Sequence, residues 1–151
     1  MLRHWLFKTE PDTYSIDDLA RETTCPWDGI RNYQARNRLR DEVALADPVL
    51  IYHSSCATPA IVGLARVVGA AEPDPAQFDP ASPYHDARSD PAAPRWLMVS
   101  LHWQQTFRQP LTLREIKQDV FFADMELVTR SRLSIQHVAA HHFKAIVSRC
   151  Q

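Results

Sequence analysis

PVLIYHSSCATPAIVGLARVVGA, Pro48 to Ala70, holds two runs rich in β-branched and apolar residues on either side of the short break CATP. Such side chains fit a pleated, half-buried surface, so the segment is expected to form two neighbouring sheet strands. Gly63 sits inside the second run. A glycine there marks a bulge, or a place where something approaches the backbone closely. Toward the N-terminus, HWLFK (His4 to Lys8) reads as an opening strand, stopped by Glu10-Pro11-Asp12 because proline continues a ladder poorly. SIDDLARE follows with Ser15 as N-cap, Asp17 and Asp18 in the first turn, and Ile16, Leu19 and Ala20 at one-face spacing: a short amphipathic helix. TTCPWDG reads as a loop, and NYQARNRLRDEVA as a second helix that brings Tyr33, Arg36 and Arg40 onto one side.

Toward the C-terminus, residues 72–95 hold six of the eleven prolines and read as a long shaped loop, a feature that is usually functional or mobile. RWLMVSLHWQQTF returns to strand, and TLREIKQD is a short helix with Thr112 as cap and Glu115 at the capping-box position. FFADMELVTRSRLSIQHV is mixed and receives no assignment. AAHHFKAIVSR closes as a helix with Phe143, Ile146 and Val147 on one face. Strands interleave with short helices irregularly, which predicts a single α+β domain over residues 1–151 built on a curved sheet, not a dinucleotide-binding unit.

The 151 residues suffice to bury a core, and 45% hydrophobic with 23% charged residues is ordinary for a globular chain. A formal net charge of −1 argues against a protein that coats DNA by bulk charge but leaves room for a local basic patch. No apolar run approaches the ~20 residues of a membrane helix, and the opening MLRHWLFKTEPD becomes charged before a signal-peptide core can form. Three distant cysteines, Cys25, Cys56 and Cys150, do not suggest a disulfide framework, so the cytoplasm is the expected compartment.

Metal binding finds little support. His53 with Cys56, or His137 with His141, supplies two ligands, whereas a structural zinc site needs four in paired clusters. With three glycines in the chain there is no phosphate-binding glycine loop or nucleophile elbow, and no cofactor is expected. Lys8-Thr9-Glu10 sits at a strand end. Its residue types suit proton transfer if burial shifts the lysine, yet alternation also places Lys8 and Glu10 on one face as a plain salt bridge. CPWDGIRNYQARNRLR, Cys25 to Arg40, gathers four arginines within ten residues behind a tryptophan, a glycine and an asparagine. Arginine runs are usually solvated helix faces. Aromatic planes that stack on bases, amides that pair with base edges and arginines that hold phosphate are also what nucleic-acid binding requires. Residue chemistry alone leaves both readings open.

HWLFKTEPDTYSIDDL, WDGIRNYQARNRLR, VLIYHSSC, IVGLARVVGAAEPDPAQFDPASPYHD, PRWLMVSL and SRLSIQHV, in this order, resemble the EVE domain family from about His4 to Val147. The resemblance implies a PUA-like fold, a curved, barrel-like β-sheet flanked by short helices and related to the YTH readers of methylated adenine. It implies a non-enzymatic module, of the small stand-alone bacterial kind, that reads a modified base in DNA or RNA, with cytosine modified at carbon 5 as the expected ligand. The base pocket would draw on Trp5, Lys8, Thr9, Glu10, Trp27, Gly29, Asn32, Tyr33, Ala35, His53, Ser54, Gly63, Ala65 and Trp96. Trp27 would stack on the extruded base, and Asn32 with Ser54 would pair with its edge. Arg31, Arg36, Arg38, Arg88 and Arg95 would hold flanking phosphates. Thr9 stands where relatives carry serine, and Ser55 where many carry asparagine, a departure that bears on ligand choice. ASCH-type relatives imply the alternative of an amidohydrolase on a modified nucleoside using Lys8, Thr9 and Glu10, and a protein-binding module is a third reading.

Overall fold

The computed structural model describes residues 2–151. The strand pair around Gly63 lies at the middle of a mixed seven-stranded sheet. Its strands are β1 (His4–Thr9), β2 (Thr24–Trp27), β3 (Pro48–His53), β4 (Ala60–Val67), β5 (Glu72–Pro73), β6 (Leu97–Thr112) and β7 (Ile135–Val138). They are arranged β2-β6-β4-β3-β1-β7, with β5 on the first residues of β6. β1 runs parallel to β3, and the other pairings are antiparallel. β2 and β7, at the two ends of the order, do not pair with each other. The sheet is therefore the expected curved, helix-flanked one, but open rather than a closed barrel.

Alternation along β1 and β3 builds a core on each face. Trp5, Phe7, Val49 and Ile51 pack with Ile16 and Leu19 of α1 (Ile16–Glu22), Ala35 and Leu39 of α2 (Tyr33–Asp41), and Trp27. Leu6, Leu50 and Tyr52 face the other way. They pack with Ile116 of α3 (Leu113–Gln118), Leu127 of α4 (Glu126–Thr129) and Ile146 of α5 (Ala140–Cys150). Each such aliphatic side chain contributes roughly 1.5–3 kcal/mol by leaving water. On β4 the residues facing the first core change parity, from Ala60 and Val62 to Ala65 and Val67, across the register shifts that flank Gly63. The bulge expected at Gly63 is present. What approaches it is the core: an added Cβ would meet Ile16 Cδ1 at 2.4 Å and the Gln105 carbonyl at 2.8 Å.

The caps at Ser15 and Thr112 form as expected, and each is a full capping box, Ser15 with Asp18 and Thr112 with Glu115. One expectation changes. Within TTCPWDG, read as loop, TCPW forms the strand β2 paired to residues 99–102 of β6. Proline is tolerated on an edge strand because one side of its backbone needs no partner, and Pro26 sits on such an edge. The unassigned stretch after Asp119 resolves into a 3₁₀ turn at Val120–Phe122, α4 and β7. The proline-rich loop is held from within. Buried Gln77 donates to the Asp74 and Trp96 carbonyls and accepts from Ser89 Oγ and the Trp96 amide.

Candidate functional site

The ends of β1 and β2 meet beside the β2–α2 connection around a cavity of about 700 Å³. Trp27 forms part of its wall while only 6% exposed. Phe7 lies behind its indole (ring centroids 6.2 Å apart) and Tyr14 stands edge-on to it (5.8 Å, 87°), so the ring plane is fixed from two sides. Lys8, Thr9 and Glu10 follow β1 into the wall, residues 28–32 supply the opposite side, and Ser54 and Ser55 close it after β3. Tyr84 from the proline-rich loop and Ser131, Arg132 and Ser134 before β7 complete the rim.

Gly29 is required by its backbone. Its φ of 78° is one that side-chain-bearing residues adopt at a cost, and an added Cβ would come within 3.0–3.3 Å of the Tyr84 ring. The Gly29 amide donates to the fully buried Asp74 carboxylate (2.9 Å), which also accepts from Arg31 Nη1 (3.0 Å) and the Ala76 amide (2.8 Å). The loop thus delivers Tyr84 to the cavity through Asp74. Burial at the rim, and then the Asp74 carboxylate, push the Asp28 carboxyl above its ordinary value. Burial lowers Lys8, whose ammonium donates to the Ser131 carbonyl. The Thr9 hydroxyl donates to the Tyr14 carbonyl (2.7 Å), and the Tyr14 hydroxyl to Glu22 (2.7 Å). Burial and the neighbouring Cys25 and Glu22 raise Tyr14 far above the usual phenol range, which keeps it a neutral donor.

Of the residues expected to form a base pocket, the structure brings seven to this cavity: Lys8, Thr9, Glu10, Trp27, Gly29, Asn32 and Ser54. The remainder sit elsewhere for identifiable reasons. Trp5 is fully buried with its indole N–H on Asp47 (2.9 Å). Ala35 and Ala65 are core residues, and Gly63 packs under Ile16. His53 accepts from the Ile16 amide (3.0 Å), and burial lowers its pKa, so it serves the start of α1 as a neutral ring. Tyr33 lies on the Trp96 ring (4.7 Å), and the Trp96 indole donates to Asp86 (2.8 Å). Asn32 is at the cavity, but its amide oxygen caps α2 through the Ala35 amide (3.0 Å), leaving only its NH₂ group to face a ligand.

The arginines expected on phosphates are mostly held by the protein. Arg31 lines the cavity, yet it is bound to Asp74 and to the Tyr84 carbonyl (2.8 and 3.0 Å) and lies between the Tyr84 and Trp96 rings. Arg36 donates to the Arg95 carbonyl (2.7 Å) and to Asn37, over the Tyr33 ring. Arg38 is buried in a two-pronged pair with Glu126 (2.6 and 3.0 Å) and donates to the Ile135 carbonyl. Arg95 lies 3.8 Å from Asp86. Arg88 is exposed on the loop and is not part of the cavity wall. Asp74, Tyr14, Tyr84 and Arg132 escaped sequence reading. Only Asp74 carried a local signal, an aspartate before Pro75 that caps the turn at Pro75–Phe78. Among the described residues, no group of three or more His, Cys, Asp or Glu side chains could hold a metal ion.

The EVE domain model matches residues 3–149. Human thymocyte nuclear protein 1 is 37% identical over 165 residues, covering 96% of this chain and 72% of that protein. A crystal structure of a Pseudomonas putida protein superposes with a TM-score of 0.92 at 43% identity, covering 98% of this chain and 99% of that one. The human THYN1 protein, crystallised in complex with DNA containing 5-methylcytosine, superposes with a TM-score of 0.93 at 35% identity, covering 99% and 98%. The likeness spans both cores, the Trp27 loop and the segment before β7, and the chain belongs to the EVE domain family.

Proposed function

We propose that this protein is a non-enzymatic module that binds nucleic acid and takes one extruded, modified base into the cavity beside Trp27. The observation that carries the reading is the cavity itself: about 700 Å³, within the ~300–1,000 Å³ of ligand clefts, with a fixed indole in its wall. The THYN1 complex makes cytosine methylated at carbon 5 the first base to try, and DNA the first polymer. Extrusion costs a few kcal/mol, which stacking of ~1–3 kcal/mol and edge contacts must offset. The donor suited to a pyrimidine edge is the Asn32 NH₂ group; the Ser54 hydroxyl, whose hydrogen points to the Thr9 carbonyl over a long 3.5 Å, offers acceptor lone pairs, and Asp28 and Glu10 supply acceptors for an exocyclic amine. Lys8 and Thr9, which a hydrolase acting on a modified nucleoside would use, have donor hydrogens on the Ser131 and Tyr14 carbonyls, an arrangement that braces the cavity wall instead of directing the Thr9 hydroxyl proton to a base.

The test is titration of tryptophan fluorescence with short oligonucleotides carrying cytosine or 5-methylcytosine, on the wild type and on Trp27→Phe. Saturable quenching by the methylated strand, weaker for the parent strand and reduced in the variant, is expected. Equal responses to both strands would sink base reading, and an unchanged response in the variant would sink the stacking role.

A further inference from the structure

A second cavity of about 390 Å³ opens beside the first, sharing Asn32, Ser131 and Arg132 with it and adding Gln34, Arg130 and Leu133. Among the described residues, no carboxylate lines it. The segment that carries its two arginines is shaped from below. Gln136, 1% exposed, donates to the carbonyls of Arg130 (3.2 Å) and Leu133 (3.0 Å), and the Leu133 amide closes a turn onto Arg130 (3.1 Å). Lys8 ties the Ser131 carbonyl to the first cavity. Among the described residues, the Arg132 guanidinium makes no hydrogen bond or ion pair. Arg130 has only Glu126 at 3.8 Å, a carboxylate already held by Arg38 and the His137 amide.

Two permanently charged planar donors on a fixed turn, in a concavity that adjoins the base cavity, suit a phosphodiester. We propose that this second cavity seats the backbone phosphate beside the extruded base, so that the strand leaves the site between the start of α2 and the turn at residues 130–133. This rests on the base-reading function proposed above and moves phosphate recognition from the arginines of α2 to Arg130 and Arg132. Both side chains are exposed, so substitution leaves the cores intact.

The experiment compares wild type, Arg130→Gln and the double variant Arg130→Gln/Arg132→Gln for two probes across a salt series: free 5-methyl-2′-deoxycytidine and a short single strand carrying one 5-methylcytosine. Arg130 lines the second cavity and not the first, so Arg130→Gln is expected to leave nucleoside binding unchanged while weakening the hold on the strand several-fold at low salt, and the double variant roughly tenfold or more. The slope of log affinity against log salt should shrink by about 0.7 for each phosphate of the single strand that the variant no longer neutralises. Wild-type strand affinity and salt slope in the double variant would overturn the proposal, as would a wild type that binds no strand at all. Failure of the base-reading assignment looks different: the wild type then binds the strand but not the nucleoside, and the arginine variants still report on the phosphate seat.

Discussion

Two arginine-bearing segments border the cavity, and they are used in opposite ways. In residues 31–40 the guanidiniums of Arg31, Arg36 and Arg38 are turned into the fold, onto Asp74, the Arg95 carbonyl and Glu126. In residues 130–132 Arg132 is turned out, and backbone carbonyls of the same turn take the internal hydrogen bonds instead. A dense run of arginines is thus scaffolding, and a sparse one presents charge. The difference arises from burial: a guanidinium removed from water must find a carboxylate or carbonyl, and once it has done so it has little left to offer a ligand.

The strongest way to break this comparison is at Arg38. Arg38→Ala leaves the Glu126 carboxylate half-buried opposite a void, and loss of one partner of a buried pair costs ~3–5 kcal/mol. Urea unfolding should show this loss directly. A cost below ~1 kcal/mol, the range of exposed pairs, would mean that Arg38 is not structural and that the contrast between the segments is false. The pair also holds pH information. Hydrogen bonds from Arg38 and the His137 amide outweigh burial and hold Glu126 below its ordinary value, so its contribution is present at neutral pH and fades as acid protonates it.

Gly29→Ala comes next. Forcing a side-chain-bearing residue to φ 78° costs ~1–3 kcal/mol, and the new methyl group presses on Tyr84. Thermal unfolding should fall accordingly, and the Tyr84 side of the cavity should move. An alanine variant of wild-type stability would show that the loop relaxes freely and that Asp74 does not fix the rim. Arg132→Gln, by contrast, should change stability by less than ~0.5 kcal/mol, as surface substitutions away from packing do. A larger loss would place Arg132 with the scaffold arginines.

What could be read from the chain alone follows the same divide between local and distant partners. The caps of α1 and α3 are decided within four residues, Ser15 by Asp18 and Thr112 by Glu115, and both N-caps were legible. Alternation in β1, β3 and β4 is equally local, and it sufficed to predict a curved sheet with short helices. Whether that sheet closes depends on how its two ends meet, which alternation does not carry. The fates of Gly63 and Arg38 depend on Ile16 and on Glu126, 88 residues away, so bulge and charge were visible but their purposes were not. At the site, Trp27, Gly29 and the Lys8–Thr9–Glu10 strand end were legible because motif and strand end coincide. Tyr84 and Arg132 were not, because they arrive from segments without regular periodicity.

The smallest effect is expected at Asp28, and its sign is what matters. Burial and then the Asp74 carboxylate raise its pKa in the folded protein above the ordinary value of 3.8. Between that value and the raised one the native state holds more proton at this site than the unfolded chain does, so rising pH removes stability across that window. Above the window the charged form stands unfavourably near Asp74. Asp28→Asn removes the titration, so the variant should gain slightly on wild type as pH climbs from about 4 toward neutrality, and the gain should then level off. The residue lies on the open side of the cavity, where water screens it, so the rise in melting temperature at neutral pH should be no more than about one degree. Carboxylates with lowered pKa, Asp18, Asp86, Glu115 and Glu126 among them, make both proteins more stable over the same range, so the difference between the two profiles is the quantity to read. A variant less stable than wild type at neutral pH would mean that Asp28 is held by a favourable partner, Arg31 being the nearest, and that this arginine is less fully committed to Asp74 than its geometry indicates.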